Sequence, residues 1–425
     1  MPRVSPPADA STIASNGRAF ALFKQLASED GTLDANLLPK YLKQYGDADA
    51  SVKDAMTFEE FSALFAKPPT EVPGEGNCIG YAAQDTSGVL APYRFNRRSV
   101  GPEDVHIQIS FAGICHSDIH TVMGEWAGTC YPCVPGHEIA GYVIEVGDKV
   151  TKFKVGDKVG VGCMVNSCKS CHCCSDLKEE QYCQKGFVGT YNGKDRDGSI
   201  TKGGYSTHVV VDQDFVLNVP QKLSLDAAAP LLCAGITVYS PIRKFELDKP
   251  GMKVGVVGLG GLGHMAVKFL KSFGVEVTVI STSPSKKEEA TTVLGADTFL
   301  VSKDPDAMAA AAGTLDGLIN TVSARHDLAA LLNLLKTDGT MVCVGAPAEP
   351  PTMPTFAMLL RRLRVTGSLI GGIKETQEML DYCAEKGIEC MHEIIPADYV
   401  NTAWERVLKQ DVRYRFVIDV QGSLI

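Results

Sequence analysis

Two groups of metal-binding side chains stand out in the 425-residue sequence. The first lies in residues 113–138, GICHSDIHTVMGEWAGTCYPCVPGHE, and gathers Cys115, His116, His120, His137 and Glu138 about a Pro-Gly turn. Thiolate and imidazole are ligands that zinc prefers, and a catalytic zinc takes three protein ligands and keeps one position open. Cys115 and His137 supply two. The third must come from elsewhere, and spacing alone does not select it from the other cysteines. A lone cysteine or histidine would instead read as core packing. The second group is Cys168, Cys171, Cys174 and Cys183, a Cys-x2-Cys-x2-Cys-x8-Cys spacing. It can wrap four thiolates around one tetrahedral ion with no position open, the mark of a structural site. Cys173 competes with Cys174, and the even three-residue step favours Cys174. Cys163, in the apolar run VGVGCMV, reads as core, and little marks Cys130 or Cys133 as ligands.

A third signal is Gly258-Leu259-Gly260-Gly261-Leu262-Gly263, preceded by the apolar run Lys253-Val254-Gly255-Val256-Val257 and followed by helix-forming residues from His264 to Leu270. Between a strand and a helix, these glycines permit a tight turn, close approach of a pyrophosphate and close packing of helix on strand. The diphosphate is expected at the helix N-terminus. The next apolar run, residues 275–280, ends in Ser281-Thr282-Ser283-Pro284-Ser285-Lys286-Lys287. An NAD site places an Asp or Glu near this point to accept from the ribose 2'-hydroxyl. None is present, and hydroxyls with a lysine suit a 2'-phosphate, so NADP is the expected cofactor.

The elements that must hold these groups can be bounded from composition. At 45% hydrophobic residues the chain is long enough for two or three domains with sizeable cores. Net charge is −9 with acids and bases interleaved, so no basic face invites nucleic acid or anionic lipid. No apolar run approaches the ~20 residues of a membrane span, and the first residues, MPRVSPPADASTIASNGR, lack the apolar core of a signal peptide. A cytoplasmic protein is expected, in which 14 cysteines point to metal rather than disulfides. Residues 1–70 read as a small helical appendage, with Phe20, Phe23, Leu26, Leu37, Leu38, Tyr41 and Leu42 at helical spacing before MTFEEFSALF. The pattern looks like a decayed pair of EF-hands. With Gly31 at the turn, Leu26 falls on the first ligand position. In the second loop Asp49 and Glu60 suit the site, but Lys53 falls on a ligand position and Asp54 replaces the glycine. A docking or packing role is therefore expected, without tight calcium binding. Residues 71–76 read as a linker. From Asn77 short β-like runs dominate, with VGDKV repeated at 146–150 and 155–159 as turns whose glycine takes positive φ. After Pro220 strands alternate with helices, which implies a parallel sheet flanked by helices.

From about Asn77 onward the chain resembles the zinc-dependent medium-chain dehydrogenase/reductase superfamily, and within it the cinnamyl alcohol dehydrogenase branch. The residues that carry this are GICHSDIH, EWAGTCYPCVPGHEIAG, the cysteine knot, APLLCAGITVYSP, GLGGLGHMAVK, GSLIGGIKETQEMLDYC and DVRYRFVIDV. The resemblance implies an α/β protein with a GroES-like β-rich catalytic domain over residues 77–233, completed by 372–425. A Rossmann NADP-binding domain, a doubly wound parallel sheet, would occupy 234–371.

The same resemblance implies Cys233 as the third zinc ligand, giving the Cys2His set known for alcohol dehydrogenase, with Glu138 able to approach the metal. Ser117 would be a hydroxyl relay touching the cofactor ribose, and His120 would pass the proton towards solvent. Thr237, Thr321, Gly345 and Ser368 would join the glycine loop in binding cofactor, and Ser281, Thr282, Ser283 and Lys286 would form the 2'-phosphate pocket. Two zincs per chain, one catalytic and one structural, and a homodimer are implied as well. Three departures stand out: the Cys174–Cys183 interval is one residue longer than usual, residues 1–70 have no usual counterpart, and Gly189 stands where the plant lignin enzymes carry tryptophan. The last opens or reshapes the pocket, whose walls would include Met123 and Trp126 unless these are core. The expected activity is hydride transfer between NADPH and an aromatic or aliphatic aldehyde. The alternatives are a secondary-alcohol or polyol dehydrogenase on the same scaffold, and a calcium-responsive or scaffold protein using the N-terminal module.

Overall fold

The strand Asp104–Gly113 alternates Val105, Ile107, Ile109 and Phe111 with polar neighbours, the period-two pattern of a pleated surface. In the computed structural model it forms the centre of a seven-stranded sheet. Ile139–Val146, Lys158–Val161 and Leu217–Asn218 continue the sheet on one side, all antiparallel. His208–Asp212 and Arg415–Asp419 pair antiparallel with the central strand, and His392–Pro396 adds parallel to Arg415–Asp419. The structure describes residues 75–424 except Ala348, and, before them, residues 3–4, 23, 26–28, 30–33, 38, 53, 55–64 and 72.

The second large sheet has six strands, all parallel: Thr298–Val301, Glu276–Ser281, Lys253–Val257, Leu315–Asn320, Leu335–Cys343 and Arg364–Gly367, in that spatial order. In chain order this is 3-2-1-4-5-6, the doubly wound Rossmann arrangement. Its inner strands are Val- and Ile-rich and buried on both faces, as a sheet covered by helices requires. Gly258, Ser281, Thr321, Gly345 and Ser368 all fall at or just beyond the C-terminal ends of their strands. That edge is where open α/β sheets bind ligands.

The two sheets are joined by one helical rod, Leu225–Lys244, made of the helix Leu225–Pro230, the π turn Leu231–Gly235 and the helix Ile236–Lys244. By length and composition alone this rod could cross a membrane, which corrects the reading that no apolar stretch approaches that length. Yet 94% of its apolar window is buried in the protein, so it is a core helix. The VGDKV turns also differ from each other. Gly156 takes φ 92° as expected, whereas Gly147 is needed for close approach: a Cβ there would lie 2.1 Å from Gly101 O.

In the N-terminal segment the helix Phe58–Leu64 packs its Phe58 and Phe61 rings edge-on against Phe23, at 6.0 and 5.9 Å. Gly31 takes φ 79°. The expected ligand Glu60 accepts from the Thr57 amide at 2.9 Å while Thr57 Oγ1 accepts from the Glu60 amide at 3.2 Å. This capping box, with Lys53 Nζ on the same carboxylate at 2.5 Å, occupies the group that a calcium loop would need. The expectations for Phe20, Leu37, Tyr41, Leu42, Asp49 and Asp54 lie outside the described residues.

Gly141 sits opposite Ile109, and a Cβ there would lie 2.0 Å from Gln108 O. Gly141→Ala should cost about 2–4 kcal/mol of stability. Denaturant titration checks this, and an unchanged midpoint would show slack in the strand pair.

Candidate active site

The central strand ends at Gly113, and the chain turns through Ile114 to Cys115, which caps the helix His116–Val122. Gly113 leaves no room for a side chain, since a Cβ would lie 1.9 Å from Glu138 Oε2. On the neighbouring strand's approach, Gly136 takes φ 105° and sets His137 and Glu138 facing Cys115. Cys233 arrives from the π turn of the joining rod, a helical irregularity that recurs at functional sites because it re-aims side chains. One ligand atom from each of Cys115, His137, Glu138 and Cys233 lies within 4.8 Å of the others, and all four residues are buried. Cys115 Sγ is 3.9 Å from Cys233 Sγ, and His137 Nε2 is 3.2 Å from the same sulfur. The set predicted from the sequence and its resemblance is thus brought together. Two thiols, an imidazole and a carboxylate suit zinc by donor chemistry.

Asp118, which the sequence reading passed over, orders this site. It is fully buried and accepts from His137 Nδ1 at 3.0 Å, the Cys115 amide at 2.9 Å, the Gly136 amide at 3.2 Å and Tyr205 Oη at 3.1 Å. With Nδ1 bound to a carboxylate, the proton stays there and Nε2 turns its lone pair to the thiols, the usual support of a metal-binding imidazole. A sequence signal did exist: Asp118 stands three residues after Cys115, at capping-box spacing.

Arg415 is the second omission. Its guanidinium is buried, with Nη2 3.5 Å from Cys115 Sγ and 3.1 Å from Glu138 Oε1, while Nη1 donates to Ile114 O at 3.2 Å. The Glu138 contact is an ion pair without hydrogen-bond alignment, so both carboxylate oxygens are buried without a donor. Burial pushes the Glu138 carboxyl up to about 8, against the pull of Arg415. Of the two facing thiols, Cys115 is held well below the usual range by the hydrogen bond from Cys233, and then by Arg415.

The four cysteines of the predicted knot also converge, with Sγ atoms within 4.8 Å of one another. Cys171 Sγ is 3.4 Å and Cys168 Sγ 4.0 Å from Cys174 Sγ. Backbone amides of Cys171, Cys168 and Gln184 donate to the sulfurs of Cys168, Cys183 and Cys171. Such donors favour thiolates, and hydrogen bonding draws the Cys168 thiol down to about 6. Cys173 stands apart from the group, as the three-residue step required.

At the glycine loop Gly258 takes φ 88°, and a Cβ on Gly263 would lie 2.0 Å from Gly258 O, so helix and turn touch backbone to backbone. Gly260, by contrast, faces open space, the clearance a pyrophosphate needs. A Cβ on Gly261 would lie 3.1 Å from Arg415 Cζ, which places one guanidinium between this loop and the Cys115 thiol. Ser281 is buried, Ser283 N donates to Ser281 Oγ at 3.2 Å, and Lys286 Nζ reaches Leu259 O at 2.9 Å. Thr282 is exposed beside them, and Leu262 lies in the first helical turn. Thr237 Oγ1 is buried without a partner, and Thr321 Oγ1 donates to Val257 O at 2.8 Å under the loop. Gly345 presses on Val322 O, and the Ser368 amide donates to Cys343 O at 3.1 Å. These groups fit a phosphorylated dinucleotide.

The chain matches the alcohol dehydrogenase GroES-like domain over residues 101–221 and the zinc-binding dehydrogenase domain over residues 261–385. A probable mannitol dehydrogenase of Mesembryanthemum crystallinum is 58% identical over 81% of this chain and 95% of its own length. A cinnamyl alcohol dehydrogenase structure from Sorghum bicolor is 55% identical, with TM-score 0.80 over 82% of this chain and 99% of that one. The chain belongs to the zinc-dependent alcohol dehydrogenases, in the cinnamyl alcohol dehydrogenase branch. A Helicobacter pylori enzyme of the same branch, solved with NADP(H), is 42% identical, with TM-score 0.76 over 81% of this chain and 99% of its own.

In this alcohol dehydrogenase Ser117 and His120 share one face of the helix His116–Val122, three residues apart. Ser117 Oγ lies 3.5 Å from Cys115 Sγ. His120 Nδ1 hydrogen-bonds Glu125, and its Nε2 is buried without a partner. The His120 ring is stacked between His116 at 4.6 Å and Trp126 at 5.1 Å, which leaves His116 a packing role. Trp126 is 37% exposed, so it belongs to the rim and not to the core; Met123 is half-buried. Tyr191, a further omission, stacks on His137 at 5.8 Å and donates to Ser117 O at 3.2 Å.

Asp118→Asn keeps the shape but offers His137 Nδ1 an amide in place of a charge. Zinc affinity should fall about 10–100-fold. Competition with a chromogenic chelator measures it, and wild-type affinity would remove Asp118 from the site.

Proposed function

We propose that this enzyme is an NADPH-dependent aldehyde reductase, also oxidising the matching primary alcohols, with cinnamyl-type, aromatic or aliphatic aldehydes as substrates. The observation that carries the reading is the buried Cys115–His137–Cys233 set lying one guanidinium away from the glycine loop. Cys115, His137 and Cys233 would hold the catalytic zinc with Glu138 in reach, and Cys168, Cys171, Cys174 and Cys183 a structural one. Bound, zinc supplies a Lewis acid for a carbonyl oxygen and the nicotinamide a hydride. The residues of the chain do the rest. Cys115, His137 and Cys233 would hold the metal with Ser117 Oγ 3.5 Å from Cys115 Sγ, and burial of the set keeps bulk solvent away. Ser117 would donate the proton that the product alcohol needs, and His120, held through Nδ1 by Glu125 and once it has taken up a proton from solvent at Nε2, would return it.

Ser281, Thr282, Ser283 and Lys286 would take the 2'-phosphate, a reading supported by the missing carboxylate at the end of Glu276–Ser281 and by the NADP(H) in the Helicobacter enzyme. The division of labour would follow the expected domains, 77–233 with 372–425 for catalysis and 234–371 for the cofactor. A homodimer through the cofactor domains is supported by an apolar face on the helix Thr355–Arg361, where Phe356, Leu359 and Leu360 are each about 70% exposed beside the edge strand Arg364–Gly367. A cytoplasmic home suits the unpaired state of all 14 cysteines. Residues 1–70 would act as an EF-hand-like docking module that does not need calcium, given the capped Glu60.

A polyol reading gains weight from the mannitol dehydrogenase relative, and from Gly189, which narrows the pocket less than a tryptophan would. One screen separates the two: aldehydes, ketones and mannitol, each with NADPH or NADH, and zinc counted per chain. Two zincs and NADPH oxidation with aldehydes are expected, and Cys115→Ser should stop turnover while NADPH still binds. Zinc-replete protein that oxidises no NADPH with any aldehyde would refute the proposal, and mannitol turnover above aldehyde reduction would favour the alternative.

A carboxylate at the 2'-phosphate pocket should reverse the cofactor preference. Ser281→Asp is expected to lower the NADPH:NADH ratio of kcat/KM at least about tenfold by charge repulsion. A ratio that does not move would place the 2'-phosphate elsewhere.

A further inference from the structure

His264 lies in the buried run of the glycine-loop helix Gly261–Ser272, yet no step of the proposed chemistry uses it. It is 0% exposed, and its ring is stacked on Tyr414 at 4.5 Å with a 14° interplanar angle. Both ring nitrogens are engaged. Nε2 lies 3.3 Å from the Met391 amide, which can only donate, so Nε2 carries the lone pair. Nδ1 therefore carries the proton and donates to Gly260 O at 3.1 Å. One neutral tautomer satisfies every contact. Cys390 Sγ adds a second approach to Nε2 at 3.4 Å.

The partners of this ring lie in two segments far apart in sequence. Gly260 is a glycine of the loop with open space beside it, where a pyrophosphate would fit. Met391 O accepts in turn from the Tyr414 amide at 2.8 Å and the Arg415 amide at 3.3 Å, and Arg415 Nη2 ends 3.5 Å from Cys115 Sγ. Gly260, His264, Met391, Arg415 and Cys115 thus form one unbroken line of hydrogen bonds and packed rings. The line runs from the cofactor loop to a metal ligand, through two segments far apart in sequence.

We propose that His264 is a positioning residue whose neutral imidazole ties the glycine loop to the Met391–Arg415 segment and so fixes the distance between bound NADPH and Cys115. This rests on the reading that NADPH occupies the glycine loop. A leucine or phenylalanine would fill the same space but could neither accept from Met391 nor donate to Gly260.

The test uses full-length, zinc-replete protein. NADPH affinity is read by fluorescence titration, alongside kcat and both KM values. His264→Leu should weaken NADPH binding about tenfold, the effect of leaving buried groups unpaired, and lower kcat, with zinc content and the aldehyde KM unchanged. His264→Asn, which keeps a donor near the Nδ1 position, should recover part of the affinity. Combined with Arg415→Lys, His264→Asn should depart from the product of the single effects by about fivefold, as coupled neighbours do. Wild-type NADPH affinity in the leucine variant, or independent effects in the cycle, would overturn the proposal; if the leucine variant does not fold, the asparagine cycle decides alone. If the wild-type protein itself binds no NADPH, the underlying reading fails instead.

Discussion

A guanidinium buried as deeply as that of Arg415 is tolerable only where negative charge and acceptors surround it. Here they are the Cys115 thiolate, a carboxyl oxygen of Glu138 and the Ile114 carbonyl. The arrangement is mutual, because the same cation steadies a buried thiolate and pulls against the burial that favours the neutral Glu138 carboxyl. It also faces Gly261, so the charge of the glycine loop's surroundings and that of the metal ligands are set by one side chain. Removing it would leave the buried Cys115 thiolate without its cation, the costlier half of breaking any buried pair.

That geometry explains the topology. Arg415 opens the strand Arg415–Asp419, which crosses from the end of the chain to pair with the end of Asp104–Gly113, where Cys115 begins. Cys233 reaches the same point from the rod that links the sheets. Three stretches more than a hundred residues apart therefore meet at the one place where the metal ligands stand. Asp118 then adds order over a shorter range, by tying the Cys115 cap, the Gly136 turn and His137 to a single carboxylate.

How much of this could be read from the residues follows the range of each contact. The cysteine knot and the glycine loop are local: ligand spacing and a strand-loop-helix pattern suffice, and both appear where expected. The parallel sheet was legible as alternation of strands and helices, and the missing acid after Ile280 as a cofactor preference. Cys233 was not legible by spacing, since nothing local distinguishes it from Cys163; resemblance alone pointed to it. Arg415 and Tyr191 were missed because an arginine or tyrosine beside an apolar run usually reads as surface or core, and only the fold turns them inward. The joining rod was misjudged because Pro230, Pro241 and Gly235 interrupt the apolar pattern, yet Pro230 ends the first helix and the π turn absorbs the irregularity.

The rod has a further bearing on how the chain is made. The sheet that carries the catalytic residues takes its last two strands from residues 392–419. On the ribosome that sheet stays open until nearly the whole chain has emerged, and through that interval the apolar face of Leu225–Lys244 lacks its final cover. A newly synthesised molecule is thus most exposed to aggregation late in translation, after the parallel sheet can already form and before the C-terminal strands arrive. Truncation by even a few dozen C-terminal residues would trap it there, with the third metal ligand held on a rod that packs on Asp104–Gly113 and the glycine-loop helix but lacks the cover of Arg415–Asp419.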